Sequence, residues 1–545
     1  MQMPKRLLFA FAAVAGSLAA QNPSITGIVN GASGRPPGVP NYAIAQGSIF
    51  VVYGSNLGAA APAGSIVNSA ALPLPTTAGL AGTSITVTVN GTTLPAPILY
   101  TIPGQVAAIM PSATPTGTGT LTLTYNGKSG SGPILVLVSD FGISNLRTPN
   151  GFETALVTFG TNQNEFVTGA DAAAPGDILV MYGTGLGPAI EGFDTILPVT
   201  GNLGTAPTVY VGGVPSPSVL YYGRSPCCAG LDQIVFTVPQ NAPLGCQVSI
   251  IVQTSNVGVP IVSNGPTTAI AATDHTPCTD PVDEFPPTFL SFTGNSKVLI
   301  VSLQQNVSVS AGGTSTTSDT DLVLAAQFTP AQVNALAPTM AKSSLNSCLT
   351  GFVPASAGGP ALAPAIYLDA GPSVKLTPPS GAPITVPALI PGVYQEKDSL
   401  GIPAGAWSFA TPGGAGVGPL SFGFPIPQPV TWTNQASLLG STIDRTKGLT
   451  ITWTGGDANG YVDIQGFAAN ATGTYLVGYD CSAPISAGTF TIPPSALLHM
   501  PTGAGASATL QVSTFSLPFT ISPVAGFNAV GNFSQLQTVI PIVYK

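Results

Sequence analysis

Few residues in this chain could carry chemistry, and their types limit the reactions open to them. Only two histidines occur, His275 and His499, so a Ser-His-Asp arrangement has two candidate bases. His275 follows Asp274 in an acidic, proline-containing segment, whereas His499 sits in SALLHMP, where a partly buried histidine at a strand end is the plainer reading. No GxSxG elbow accompanies them. The five glutamates, Glu153, Glu165, Glu191, Glu284 and Glu396, give little scope for the paired acids of glycoside hydrolysis, although aspartates could serve. Asp457, Asn459 and Asp463 supply an oxygen-rich spacing that suits a structural calcium ion, without the full ligand pattern or terminal glutamate of an EF-hand. Asp319 and Asp321 form a shorter D-x-D; turns and strand starts are the plainer reading of both sets.

Two further sets belong with these. The run Gly183-Thr184-Gly185-Leu186-Gly187 after an apolar strand has the outward form of a dinucleotide loop, but a phosphate cradle needs a helix N-terminus directly behind it. Pro188 and its successors show no helical period, so turn geometry is the expectation. Trp407, Trp432 and Trp453 offer faces on which a sugar could stack, with three core tryptophans as the alternative. No cofactor is implied beyond the calcium ion.

Composition sets the surroundings in which these groups must work. The 545 residues include 65 Gly and 54 Pro, only 6% are charged, and the mean hydropathy is +0.41. Strands and turns suit such a chain better than long helices, and Thr, Ser and Asn must solvate its surface. The net charge of −8 is spread without a basic block, which argues against nucleic acid as a partner. Lys5 and Arg6, the apolar run Leu7 to Val14 and small residues up to Ala20 have the order of a secretory signal peptide over residues 1–20. That apolar run is shorter than the roughly 20 residues a spanning helix needs, and no transmembrane segment is expected in the mature chain. Export places Cys227, Cys228, Cys246, Cys278, Cys348 and Cys481 in an oxidising compartment, where disulfides are expected over zinc ligation because no CxxC pair occurs. Six cysteines allow fifteen pairings; Cys348 with Cys481 is the most distant pair considered.

The elements that position these residues include a repeat. GSIFVVYGSNLG (Gly47–Gly58) returns as GDILVMYGTGLG (Gly176–Gly187), 129 residues later, and reads as the first strand and first tight turn of a duplicated β-domain. Further segments stay in step: ITVTVNG with TVYVGG, PILYTI with SVLYYG, and GQVAAIMP with DQIVFTVP. Period-two alternation at Ile85-Val87-Val89 and Leu121-Leu123-Tyr125, with Asn90-Gly91 and Asn126-Gly127 as hairpin turns, predicts a β-sandwich.

This order of strand, GxxLG turn, V-x-V hairpin and apolar strand resembles the IPT/TIG group of immunoglobulin-like domains. ITGIVNGAS, YGTGLGP, LYTIPGQVAAIMP and DQIVFTVP further resemble an uncharacterised acidobacterial family of secreted proteins carrying the doubled module, over residues 25 to about 275. The resemblance implies a fold and a location, and no reaction.

The expected fold is therefore all-β: tandem immunoglobulin-like sandwiches over 21–139 and 140–271, a linker over 272–287, and a β-rich C-terminal region of one or two domains. If there are two, they are a β-rich domain over 288–430 and a C-terminal sandwich over 431–545. Within this region FTPAQVNALAP is the best helix candidate, with Thr329 as N-cap and Pro330 at its first position. The function expected is a secreted or cell-surface, non-catalytic scaffold for adhesion, matrix contact or ligand display, with an extracellular protein or polysaccharide as partner. The alternative is a carbohydrate-binding or carbohydrate-active protein using the C-terminal β-domain.

Overall fold

In the computed structural model the described residues are 21–545 except 61–64, 70–71, 148–152, 190–193, 281, 283–293, 333–341, 357–365, 399–400, 504–507 and 517–526. The expected signal peptide, residues 1–20, lies outside them. So does most of the expected helix. Its start is described: Thr329 Oγ1 accepts from the Gln332 amide at 3.3 Å while Gln332 Oε1 accepts from the Thr329 amide at 2.9 Å, the reciprocal pattern of a capping box.

The first domain has ten strands: β1 (Ser24–Asn30), β2 (Ile44–Ala45), β3 (Ile49–Ser55), β4 (Val67–Asn68), β5 (Thr83–Val89), β6 (Thr92–Pro95), β7 (Ile98–Ile102), β8 (Gln105–Ile109), β9 (Gly117–Tyr125) and β10 (Lys128–Leu137). They form two sheets, ordered β1-β3-β8-β7-β4 and β2-β10-β9-β5-β6, with β2 parallel to β10. This is the immunoglobulin ladder, A-B-E-D facing G-F-C. Alternate residues of β5 turn inward, so Ile85, Val87 and Val89 meet Phe50 and Val52 of the opposite sheet in one core. The hairpins at Asn90-Gly91 and Asn126-Gly127 have positive φ at both residues, as a type I′ turn requires.

The second domain repeats the ladder with β11 (Gly142–Ile143), β12 (Asn145–Arg147), β13 (Glu153–Ala155), β14 (Val157–Phe159), β15 (Asn162–Phe166), β16 (Ile178–Thr184), β17 (Thr208–Val211), β18 (Val214–Pro215), β19 (Val219–Arg224), β20 (Asp232–Thr237), β21 (Gly245–Asn256), β22 (Val259–Val262) and β23 (Thr267–Ile270). One sheet runs β15-β14-β16-β20-β19 and the other β12-β13-β23-β21-β17-β18. The repeated run therefore supplies β3 and β16, each an interior strand of its sheet and not the opening strand of its domain. A preceding strand pairs along each: β1 on β3, and β11 with β14 on β16. Asn56 and Gly185 hold equivalent places in the two turns, and both have positive φ, 56° and 111°. Asn and Gly exchange there because they tolerate the left-handed region best.

The segment expected to be a linker is bound where it is described. The Cys278 amide donates to Gly169 O at 2.9 Å, Cys278 is joined to Cys246, and Asp280 accepts from Ser344 Oγ. The region beyond does not divide near residue 430. One continuous sheet runs, in order, through 347–354, 475–484, 461–469, 508–516, 529–544, 296–309, 315–328, 393–398, 384–390, 373–377, 405–411 and 420–426. Ser296–Val309 lies parallel to Ala529–Tyr544, and Ser347–Pro354 pairs with Tyr475–Pro484, where Cys348 and Cys481 form a disulfide. The sheet carries two cores: one around Trp407, Phe409 and Tyr394, the other around Trp432, Trp453 and Tyr479. The expected boundary failed because both halves contribute strands to the same sheet, a long-range pairing that local patterning does not reveal.

Residues 431–545 expressed alone are expected to show no cooperative urea transition, because their strands lose the 296–309 and 347–354 neighbours. A cooperative transition in that fragment would restore the boundary at 430.

Candidate functional site

The glycine-rich turn after β16 does hold an anion, and the anion is the protein's own. The amides of Gly185 and Leu186 donate to Asp232 Oδ2 at 2.7 and 2.8 Å. Arg224 Nη1 donates to Asp232 Oδ1, while Nη2 reaches Gly187 O at 2.8 Å and, across the domain junction, Gly47 O at 2.9 Å. One guanidinium thus ties the end of the second glycine run to the start of the first. Burial pushes the Asp232 carboxyl up, against the opposing pull of Arg224 and the two amides. Around this pair Thr184 Oγ1 accepts from the Ile49 amide at 2.8 Å and donates to Gly230 O at 2.7 Å. Ser112 donates from both its amide and hydroxyl to Asp194. Ala229, next to the Cys227–Cys228 disulfide, packs on Leu74 and Ile109 of the first domain.

A second junction joins all three bodies. The loop between β1 and β2 sends Val39 into the core that contains Trp453, while Asn470 Nδ2 donates to Gly38 O at 3.1 Å. Arg35, 4% exposed, donates to Val262 O and Ser263 O of the second domain, both at 2.6 Å. From the third body His499 Nε2 meets the same Ser263 O at 2.8 Å, and its Nδ1 meets Ser495 O at 2.9 Å. Two carbonyls would suit an imidazolium, but burial and then the Arg35 charge outweigh them and lower the His499 pKa to about 3. Burial also lowers Arg35 to about 10, and raises Asp140 to about 7 despite Arg35 and the Ala43 amide. Beside these groups lies a cavity of about 460 Å³ lined by Arg35, Val39, Glu153, Asn264, Phe352 and His499 among others. Clefts at domain junctions are common ligand sites.

A third cluster forms where the strap after β23 folds back. Glu165, Asp171 and His275 bring their ligand atoms within 4.8 Å of one another. His275 Nδ1 is 2.9 Å from Asp171 Oδ1 and 3.7 Å from Glu165 Oε1, and Phe159 stacks on the ring at 4.3 Å. The Asp171 hydrogen bond raises the His275 pKa. An imidazole and two carboxylates form a donor set suited to a divalent transition metal.

The other expected site residues are distributed differently. Asp463 is 2% exposed and faces Lys342 Nζ at 2.9 Å, whereas Asp457 lies in a turn and accepts from the Gln428 amide at 3.1 Å. With Asp463 turned inward onto an ammonium, the calcium grouping with Asp457 and Asn459 is not assembled. Trp407, Trp432 and Trp453 are 2%, 8% and 2% exposed. Their indole N–H groups donate to Pro403 O, Asn434 Oδ1 and Ile485 O. The sugar-stacking expectation is thereby corrected: these rings fill cores and present no flat face. Cysteine pairing is Cys227–Cys228, Cys246–Cys278 and Cys348–Cys481. Arg35, Arg224, Asp232 and Lys342 were missed in the sequence. Their signal is rarity, since 13 Lys and Arg serve 545 residues.

No family model matches the chain, and no curated protein matches it. Among solved structures it is similar to "Titin Ig tandem domains A164-A165" at 11% identity, over 46% of this chain and 97% of that one, with a TM-score of 0.13. "Sidekick-1 immunoglobulin domains 1-4" aligns at 11% identity over 95% and 99%, with a TM-score of 0.11. The S-layer protein rSbsC(31-844) aligns at 10% identity over 97% of this chain and 55% of its own, with a TM-score of 0.15. Superpositions this loose carry no functional argument. The immunoglobulin-like assignment rests on the strand ladders. Among the described residues no helix is long and apolar enough to cross a membrane.

Arg224→Ala is expected to cost about 3–5 kcal/mol of stability in denaturant unfolding, because it strands a buried carboxylate. Joint replacement by Arg224→Met and Asp232→Leu should cost less; a loss under about 1 kcal/mol for Arg224→Ala alone would show that the pair does not hold the junction. His499 binds a proton more readily unfolded, at 6.5, than folded, at about 3. Stability from the neutral ring is therefore present above pH 6.5 and lost as pH falls through that window. His499→Gln should flatten the fall in urea midpoint between pH 7 and pH 4; an unchanged slope would exclude His499 as its source.

Proposed function

We propose that the protein is a non-catalytic scaffold working outside the cytoplasm, in adhesion, matrix contact or display of loops to an extracellular protein. The observation that carries this reading is the interlock. Arg224 ties the first domain to the second, and the Val39 loop with Arg35 ties both to the third. Buried polar ties of that kind fix the relative orientation of domains, which display requires and independent modules on flexible linkers lack.

Four further observations support it. All six cysteines are paired, which suits an oxidising compartment. The resemblance of residues 25 to about 275 to IPT/TIG-like modules of secreted acidobacterial proteins points the same way, as does the export-type order of residues 1–20. The second domain carries an exposed apolar tip at the turn between β21 and β22, where Val257 is 98% exposed and Val259 59%. Such tips are candidates for partner contact.

Expression with its own N-terminus in a bacterial host should yield protein outside the cytoplasm with no free thiol. X-ray scattering should fit one rigid shape, unchanged by salt. Turnover of any member of a polysaccharide panel, abolished by substituting a single carboxylate, would replace the scaffold reading with an enzyme.

A further inference from the structure

Lys342, Asp463 and Asp480 form a buried cluster unused by either junction. Lys342 lies just before the strand Ser347–Pro354, and the two acids lie on Tyr461–Ala469 and Tyr475–Pro484, which pair with each other. The ammonium nitrogen is 2.9 Å from Asp463 Oδ2 and 3.2 Å from Asp480 Oδ2, with side-chain exposures of 11%, 3% and 22%. Phe515 stands 4.9 Å from the nitrogen, and Gln465 Nε2 donates to Asp480 Oδ2 at 2.8 Å. Ser343 and Ser482 hydroxyls bond at 3.0 Å and hold the lysine segment against the hairpin.

Two features set this cluster apart from an ion pair kept for stability. One cation faces two acids, and Oδ1 of each acid is buried without a hydrogen-bond partner. Buried polar atoms are ordinarily hydrogen-bonded, so two orphaned carboxylate oxygens beside one cation call for an explanation. The acids are also driven apart in titration. Burial, then repulsion from Asp480, push Asp463 well up, toward its neutral form. Burial pushes Asp480 up as well, but the Lys342 charge and the side-chain hydrogen bonds outweigh it and hold its carboxyl below the usual range. An amine, a neutral carboxylic acid and an ionised carboxylate at contact distance are the three parts of an amide condensation shielded from water.

We propose that Lys342 and Asp463 condense spontaneously into an intramolecular isopeptide bond, with Asp480 as the proton carrier. Asp480 takes a proton from the Lys342 ammonium, and the freed lone pair attacks Cγ of Asp463. The new bond is Nζ–Cγ. The bond that breaks is Cγ–O of the acid, whose hydroxyl leaves as water with one nitrogen proton; the second nitrogen proton remains on Asp480. Charge is conserved, since one ammonium and one carboxylate become a neutral amide and a neutral acid, and no oxidant or cofactor is consumed. The tie would run near the Cys348–Cys481 disulfide and join the segment before Ser347–Pro354 to the other strand of the same hairpin, Tyr461–Ala469. A scaffold would then keep its hairpin attached under reducing conditions, where the disulfide is lost.

The test is peptide mapping of the purified full chain after reduction and denaturation. The peptides carrying Lys342 and Asp463 should appear as one branched species, lighter than their sum by the mass of one water. Asp463→Ala and Asp480→Ala should each release Lys342 as an ordinary tryptic cleavage site. The wild-type map needs no variant to fold. Recovery of unbranched peptides cleaved after Lys342 overturns the proposal, as does a branch at Asp480 in place of Asp463.

Discussion

The constraint on which the assembly depends is the cost of placing a charge where water cannot reach it. A chain with 6% charged residues could have left all of them at its surface, yet Arg35, Arg224, Asp140, Asp232, Asp463 and Lys342 are buried. Each is answered by a specific partner from elsewhere in the sequence. Arg224 meets the Gly47 carbonyl 177 positions away, and Arg35 meets Ser263 at a separation of 228. Removing one partner from such a set costs several kcal/mol, whereas apolar contact between sandwiches would tolerate sliding. Orientation between domains is therefore specified by desolvated charge together with a few apolar contacts across the junctions, such as Val39 in the core around Trp453.

The same geometry makes assembly non-local. The loop after β1 must find a core whose strands lie more than 300 residues later, and Gly38 accepts from Asn470 at a separation of 432. Ser296–Val309 must wait for Ala529–Tyr544 before its parallel ladder can close. Loop closure grows only slowly in cost with length, but such pairings form late and leave edges exposed meanwhile. Cys348–Cys481 limits that search by fixing one pair of strands within the final sheet.

The parts legible in the sequence were those encoded by neighbours. Period-two runs such as Ile85-Val87-Val89, Asn-Gly turns and the spacing of duplicated segments depend on residues a few positions apart. Order in the ladder was harder. The glycine run looked like an opening strand because the strands that precede it carry weaker patterns; pairing shows it to be interior to its sheet in both domains. The boundary near 430 and the linker at 272–287 failed for the same reason, because contacts such as Asp280 with Ser344 span a long stretch of chain. The three tryptophans are buried as the core reading of the sequence has it, and Trp453 follows the inward alternation of Leu449 and Ile451. Asp463 and Asp457 shared a calcium-like spacing, yet strand alternation turned Asp463 inward.

The two repeats show how a junction can arise from a duplicated module. Register places Gly183 opposite Asp232 in the second domain and Tyr53 opposite Gln105 in the first, so Gly104 stands where Asp232 does. In the first copy that position is plain backbone, and the Gly104 carbonyl accepts from Gly54 at 3.1 Å. A side chain at the second position changes what the adjacent turn can do. The carboxylate gathers the Gly185 and Leu186 amides, anchors Arg224, and through it reaches the glycine that begins the first copy's run. An amide-rich turn after a strand is an anion site in waiting. Here an aspartate supplied from within the fold occupies that site, and the turn becomes a joint between domains in place of a cradle for a ligand.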